Sequence, residues 1–212
     1  MDAKESTVSF LESDFCQCFE QMRYYDAQIF DIFKYLSGYY AAALSLSVGL
    51  YQYSIEKHFN LDFAIGTGLI VSFLFGVFMY ALIVRNRVYF VCVARYVNEV
   101  RKTSLEYKPL GFQNITKMYK NPIQPPYFNW RSSQSWLMCL VALLNGLLVG
   151  IGFYISCHFI KCALIFIILI IVLELLIGIR YLQIKEKGSV AKAVFGKDTE
   201  IKEGDDGQSI LS

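Results

Sequence analysis

Two runs decide the fold class: Trp136–Ile155 (WLMCLVALLNGLLVGIGFYI) and Ala163–Leu182 (ALIFIILIIVLELLIGIRYL), joined by the short connector Ser156–Cys162. Each has the ~20 residues that a helix rising ~1.5 Å per residue needs to cross the hydrocarbon core of a bilayer. Neither offers the polar stripe that a helix of a soluble bundle keeps, since Val141–Leu144 and Ala163–Leu173 are apolar all round. One carboxylate, Glu174, interrupts the second run between ILIIVL and LLIGI. Such a group at mid-membrane costs about 2.5–3.5 kcal/mol on insertion scales, so its presence asks for a partner or a task. The partner is Asn145, the one strongly polar side chain in the core of the preceding run. The turn centres near His158–Phe159, close to midway between the two in sequence, and a hairpin therefore sets them at one depth. Two readings follow. One is an Asn145–Glu174 hydrogen bond that sets helix rotation. The other is a working carboxylate, in a ring around an oligomeric pore or as a proton or cation site.

Outward from this hairpin, Leu36–Ile55 and Phe63–Val84 carry no charged residue at all. The chain is 55% hydrophobic, but the segregation of its charges says more than the average. The expected fold is an all-α integral membrane protein with four transmembrane helices in two short-looped antiparallel hairpins. Residues 1–35 form an amphipathic helix, 36–84 the first hairpin, 85–135 a basic helix and Pro-containing loop, 136–182 the second hairpin, and 183–212 a largely flexible tail. Of the 20 Lys and Arg, only Lys57 and Lys161 fall in the two short connectors. The positive-inside rule then places both termini and the middle segment in the cytoplasm, with the protein integral to the cell (plasma or inner) membrane. The start, MDAKESTVSF, lacks a basic region followed by an apolar core, so no cleavable signal peptide is expected.

Along residues 7–36 apolar positions recur at helical spacing, and Val8, Phe15, Met22, Ile29 and Leu36 recur every seven, a pattern suited to packing within the chain or to a coiled-coil contact between chains. In the first span Gly38, Ala42, Ser45 and Gly49 share a face that would let helix backbones approach closely, and Ser45 and Gln52 are candidate pore-lining residues. The second span runs on without Pro or Gly through RNRVYFVCVARYVNEVRK, where Arg85 and Arg87 are placed to meet lipid phosphates. Segment 85–134 is basic and segment 1–35 acidic, so the two are expected to dock. A short helix is expected around Gln113–Tyr119. In the third span Gly146 and Gly150 form a GxxxG, a signal of close helix packing that leaves the partner open.

Catalysis finds little support. The two histidines, His58 and His158, lie in the connectors, and no phosphate loop, HExxH or nucleophile elbow is present. Cys16 and Cys18 form a CxC without a second pair or a nearby His, so no metal or other cofactor is implied. Cys157 and Cys162 bracket the turn CHFIKC and are a candidate disulfide. No nucleic-acid-binding fold is recognisable. The general layout is similar to small prokaryotic membrane effectors, in which a cytoplasmic helical part gates or recruits a short-loop bundle, though no motif is shared. The leading expectation is a non-enzymatic membrane protein that forms homo-oligomers in the lipid bilayer and perturbs it or forms a pore. The alternatives are a membrane anchor or adaptor for a cytoplasmic protein partner, and then a small dimeric transporter.

Overall fold

The structure, a computed structural model, describes residues 3–106, 115 and 121–188. It contains four helices, α1 (Ala3–Lys57), α2 (Asp62–Glu106), α3 (Ser133–Cys157) and α4 (Ile160–Gly188), and no strand among the described residues. α2, α3 and α4 are long and apolar enough to cross a membrane. α1 is outside that set, because Tyr, Ser, Gly and Gln dilute its apolar content between Leu36 and Ile55. The short helix expected around Gln113–Tyr119 and the tail beyond Gly188 lie outside the described residues.

The boundaries expected at 35/36 and 84/85 fall inside unbroken helices. α1 has no proline, and its first glycine is Gly38, so nothing in its sequence stops it before the connector. Its 55 residues rise about 80 Å, far more than one bilayer crossing. At its end His58 adopts a left-handed backbone (φ 54°). Phe59 N–H then donates to Ser54 O at 3.0 Å and His58 N–H to Ile55 O at 3.4 Å, the double bond of a Schellman cap. Buried Ser54 also donates its hydroxyl to Phe59 O, which closes the connector. α3 also ends on a left-handed histidine, His158 (φ 57°), but with the single bond of an αL cap, its N–H donating to Tyr154 O at 2.8 Å. Both turns lie at one end of the bundle, where His158 Nε2 is 3.4 Å from Asp62 Oδ2.

Each helix packs chiefly on its neighbours in sequence, and contacts of α1 with α3 and of α2 with α4 are sparse. Close approach depends on glycine. Gly66 of α2 and Gly152 of α3 meet backbone to backbone, for a Cβ on Gly66 would come within 2.7 Å of Gly152 O. Gly146 and Gly150 receive Ile171 and Ile167 of α4, so the GxxxG serves a contact inside the chain. Away from the turns, the first half of α1 and the last part of α2 extend together as a stalk. Phe15 and Met22 are partly buried along it and Ile29 and Leu36 fully so. Tyr96 donates its hydroxyl to Asp14, the Tyr25 and Tyr89 rings stack at 5.8 Å, and the Arg101 guanidinium lies over Phe15 and Phe19. The heptad positions from Phe15 to Leu36 thus sit on the face that packs within the chain.

The described part of the Pro-containing loop is clamped to α2. Arg87 is 4% exposed and donates to Tyr127 O at 2.9 Å, Pro126 O at 2.7 Å and Gln134 Oε1 at 3.0 Å. This corrects the expectation that Arg87 meets lipid phosphates: its guanidinium is spent on carbonyls left unpaired by the non-helical loop. Arg95 bridges Pro125 O and Glu186, whose other oxygen accepts from Tyr127 N–H at 2.9 Å. Asn98 holds Gln124 O at 2.7 Å.

Candidate functional site: a buried polar cluster and the cleft beside it

The Glu174 side chain, on α4, faces Asn145 on α3. Asn145 Nδ2 donates to both carboxylate oxygens, at 3.0 and 3.1 Å. Asn145 is fully buried and Glu174 8% exposed. The amide oxygen of Asn145 accepts from the Tyr40 hydroxyl of α1. Tyr80 of α2 donates to the backbone oxygen of Glu174 at 2.9 Å. All four helices therefore contribute to one polar cluster. In lipid no water competes for these groups, so each bond resists separation of two helices. Gly76 makes the room: a Cβ there would lie 1.9 Å from Asn145 Oδ1. Gly178 does the same for Tyr80, whose hydroxyl would be 2.4 Å from a Cβ.

Tyr40 and Tyr80 are absent from the expectations above. A signal for a third member did exist. Glu174 can accept but, ionised, cannot donate, so Asn145 spends its amide donor on it and leaves its carbonyl needing a hydroxyl or N–H from another helix. The chemistry of the cluster is positional: it orders donors and acceptors around one carboxylate and presents no nucleophile with an adjacent base.

The other expected residues lie elsewhere. Gly38, Ala42, Ser45, Gly49 and Gln52 are exposed along one side of α1, and nothing is within 4 Å of a Cβ on Gly38 or Gly49. That side is turned away from Tyr40, so Ser45 and Gln52 do not share a path with Asn145 and Glu174 within one chain. Gly38, Ala42 and Gly49, expected at a helix contact, make none inside the chain. Cys157 and Cys162 are free, exposed thiols rather than a disulfide. Each already sits beside the turn between α3 and α4, which is closed by the His158 cap. Burial, and next the Asp14 carboxylate, push the Cys18 thiol above its ordinary range. No cluster of His, Cys, Asp or Glu able to hold a metal occurs among the described residues.

Beside the cluster, the sparse contact between α2 and α4 leaves a lateral cleft of about 370 Å³, with Glu174 at its inner end and Arg85 and Tyr181 at its mouth. No protein-family model, curated protein or solved structure matches the chain. The fold and cluster thus describe a helical bundle of membrane type, and function has to be argued from the surfaces it presents.

Proposed function

We propose that this is a non-enzymatic four-span membrane protein that self-associates through the outward side of α1, with conductance or membrane perturbation as its output. The observation that carries this reading is the make-up of that side. A span facing lipid turns large apolar groups outward, as α4 does with Leu164, Ile165, Ile168, Leu169 and Leu176. α1 also exposes Leu46, Val48, Tyr53 and Ile55, but along one side between them it presents Gly38, Ala42, Ser45, Gly49 and Gln52. Small and polar residues in this order suit a neighbouring helix or an aqueous path better than acyl chains. Copies arranged with these sides inward would line a passage with Ser45 and Gln52. In this reading the Tyr40–Asn145–Glu174 cluster holds each protomer together, and the stalk and both termini lie in the cytoplasm.

The test is ion and dye leakage from liposomes containing the purified full-length protein, with its mass in detergent measured in parallel. Oligomers that leak, and lose both properties on Gly49→Leu, support the reading. A strict monomer without leakage overturns it. The stalk favours a second reading, a membrane anchor or adaptor. Phe10, Tyr24 and Phe30 are each more than 60% exposed on it, a surface suited to a protein partner.

A further inference from the structure

We propose that the cleft between α2 and α4 seats an acyl chain of an anionic glycerophospholipid, with the lipid phosphate held by Arg85. The inference is independent of self-association and needs only that the α2 and α4 spans lie in a bilayer.

Geometry sets the class of occupant. From Val77 to Arg85 the α2 wall rises about 12 Å. Over that distance the cleft is walled by Val77, Ala81 and Val84 on one side and Ile177 and Gly178 on the other. Its volume, about 370 Å³, is within the ~300–1,000 Å³ range of sites for small molecules. Ala81 and Ile177 on its two walls are exposed, so with α2 and α4 in a bilayer the cleft faces lipid tails. A walled apolar slot entered from the tails suits an acyl chain. The polar group at the inner end does not oppose this, because both Glu174 carboxylate oxygens are already held by Asn145.

Charge at the mouth selects the headgroup. Arg85 is the first charged residue after the apolar run Phe63–Val84, so it lies at the edge of the hydrocarbon layer. The Arg85 side chain is held in place by Tyr89, whose hydroxyl accepts from Nε at 2.9 Å and from Nη2 at 2.7 Å, with the guanidinium 5.4 Å from the ring centre. Among the described residues its other terminal nitrogen, Nη1, makes no hydrogen bond and no carboxylate pairs with the guanidinium. A guanidinium so oriented suits a phosphate oxygen. A second cation flanks the mouth: Lys185 Nζ lies 5.7 Å from the ring centre of Tyr181, itself a lining residue. Arg87, two residues on, is turned inward to the loop, so the phosphate site rests on Arg85.

The experiment is native mass spectrometry of the full-length protein released from vesicles of mixed phosphatidylglycerol and phosphatidylcholine. The expected result is preferential retention of phosphatidylglycerol by about fivefold, the effect of one basic residue at a membrane surface. Arg85→Gln, at an exposed position, should abolish the preference while phosphatidylcholine retention stays. Ala81→Trp, which fills the slot from another exposed position, should reduce retention of both lipids. Inorganic phosphate added in millimolar excess should displace neither, which separates a lipid headgroup from a free anion. Equal retention of the two lipids by the wild-type protein, or an unchanged preference in Arg85→Gln, overturns the proposal. So does unchanged lipid retention in Ala81→Trp, and a change only in its oligomer mass would identify a second copy as the occupant instead.

Discussion

Gly76 faces Asn145 across the α2–α3 contact so closely that a Cβ on Gly76 would lie 1.9 Å from Asn145 Oδ1 and 2.7 Å from the Tyr40 hydroxyl. The glycine is there because the amide and the phenol occupy the volume a side chain would take. Gly76→Ala must therefore displace Asn145, and overpacking of this kind costs about 1–3 kcal/mol. A lowered melting temperature in detergent reports it. Tyr40→Phe removes one of the two clashing atoms, so the double variant should lose less than the sum of the singles. Strict additivity would mean that Gly76 is not packed on this cluster.

Asn145 and Glu174 can be separated by chemistry. Asn145→Leu strands the Tyr40 hydroxyl and the Glu174 carboxyl in a buried site, at about 1–3 kcal/mol for each group left unpaired. Glu174→Gln keeps an oxygen for the Asn145 donor, so its cost should not exceed the average of about 0.6 kcal/mol for an interhelical hydrogen bond in lipid. The expected order in thermal or steric-trapping measurements is Asn145→Leu well below Glu174→Gln. If Glu174→Gln leaves stability intact but abolishes liposome leakage, the carboxylate has a task beyond holding helices.

Arg87→Lys is expected to release the loop. The guanidinium reaches the carbonyls of Pro126 and Tyr127 and the Gln134 side chain at once, and a lysine ammonium cannot span that planar fan. The Tyr127 amide, held by Glu186 at 2.9 Å, should then exchange with deuterium faster, and protease should cut between residues 121 and 132. The equivalent change at exposed Arg85 should leave both readouts alone, since none of its donors reaches the loop.

These contrasts mark what the residues disclosed and what they withheld. The positions of the three membrane-length helices followed from uninterrupted apolar runs, and the depth match of Asn145 and Glu174 followed from counting outward from one tight turn. Both are local arithmetic on rise per residue. Helix rotation is a different quantity. Whether Gly38 and Gly49 face a neighbour or open space depends on which side of α1 meets α2, and α1 carries apolar residues on several sides. Arg85 and Arg87 look alike in sequence. They diverge because two residues along a helix turn the side chain about 200°, which leaves Arg85 exposed and sends Arg87 to the loop. Tyr40 was hidden for a related reason, since tyrosine serves equally at an interface and as a buried donor.

The two ends of the bundle differ in exposed cysteine, which gives a direct test of orientation. Cys157 and Cys162 are exposed at the turn end, while Cys16 is exposed on the stalk. With the stalk in the cytoplasm, a membrane-impermeant maleimide added to intact cells should label single-cysteine variants retaining Cys157 or Cys162. It should reach Cys16 only after permeabilisation. Both turn thiols should react in the otherwise unaltered protein without prior reduction, because they are unpaired in the fold. Labelling of Cys16 in intact cells would reverse the orientation. Failure of Cys157 and Cys162 to react until a reductant is added would instead show that the turn oxidises, with the two thiols drawn together across the end of the α3–α4 hairpin.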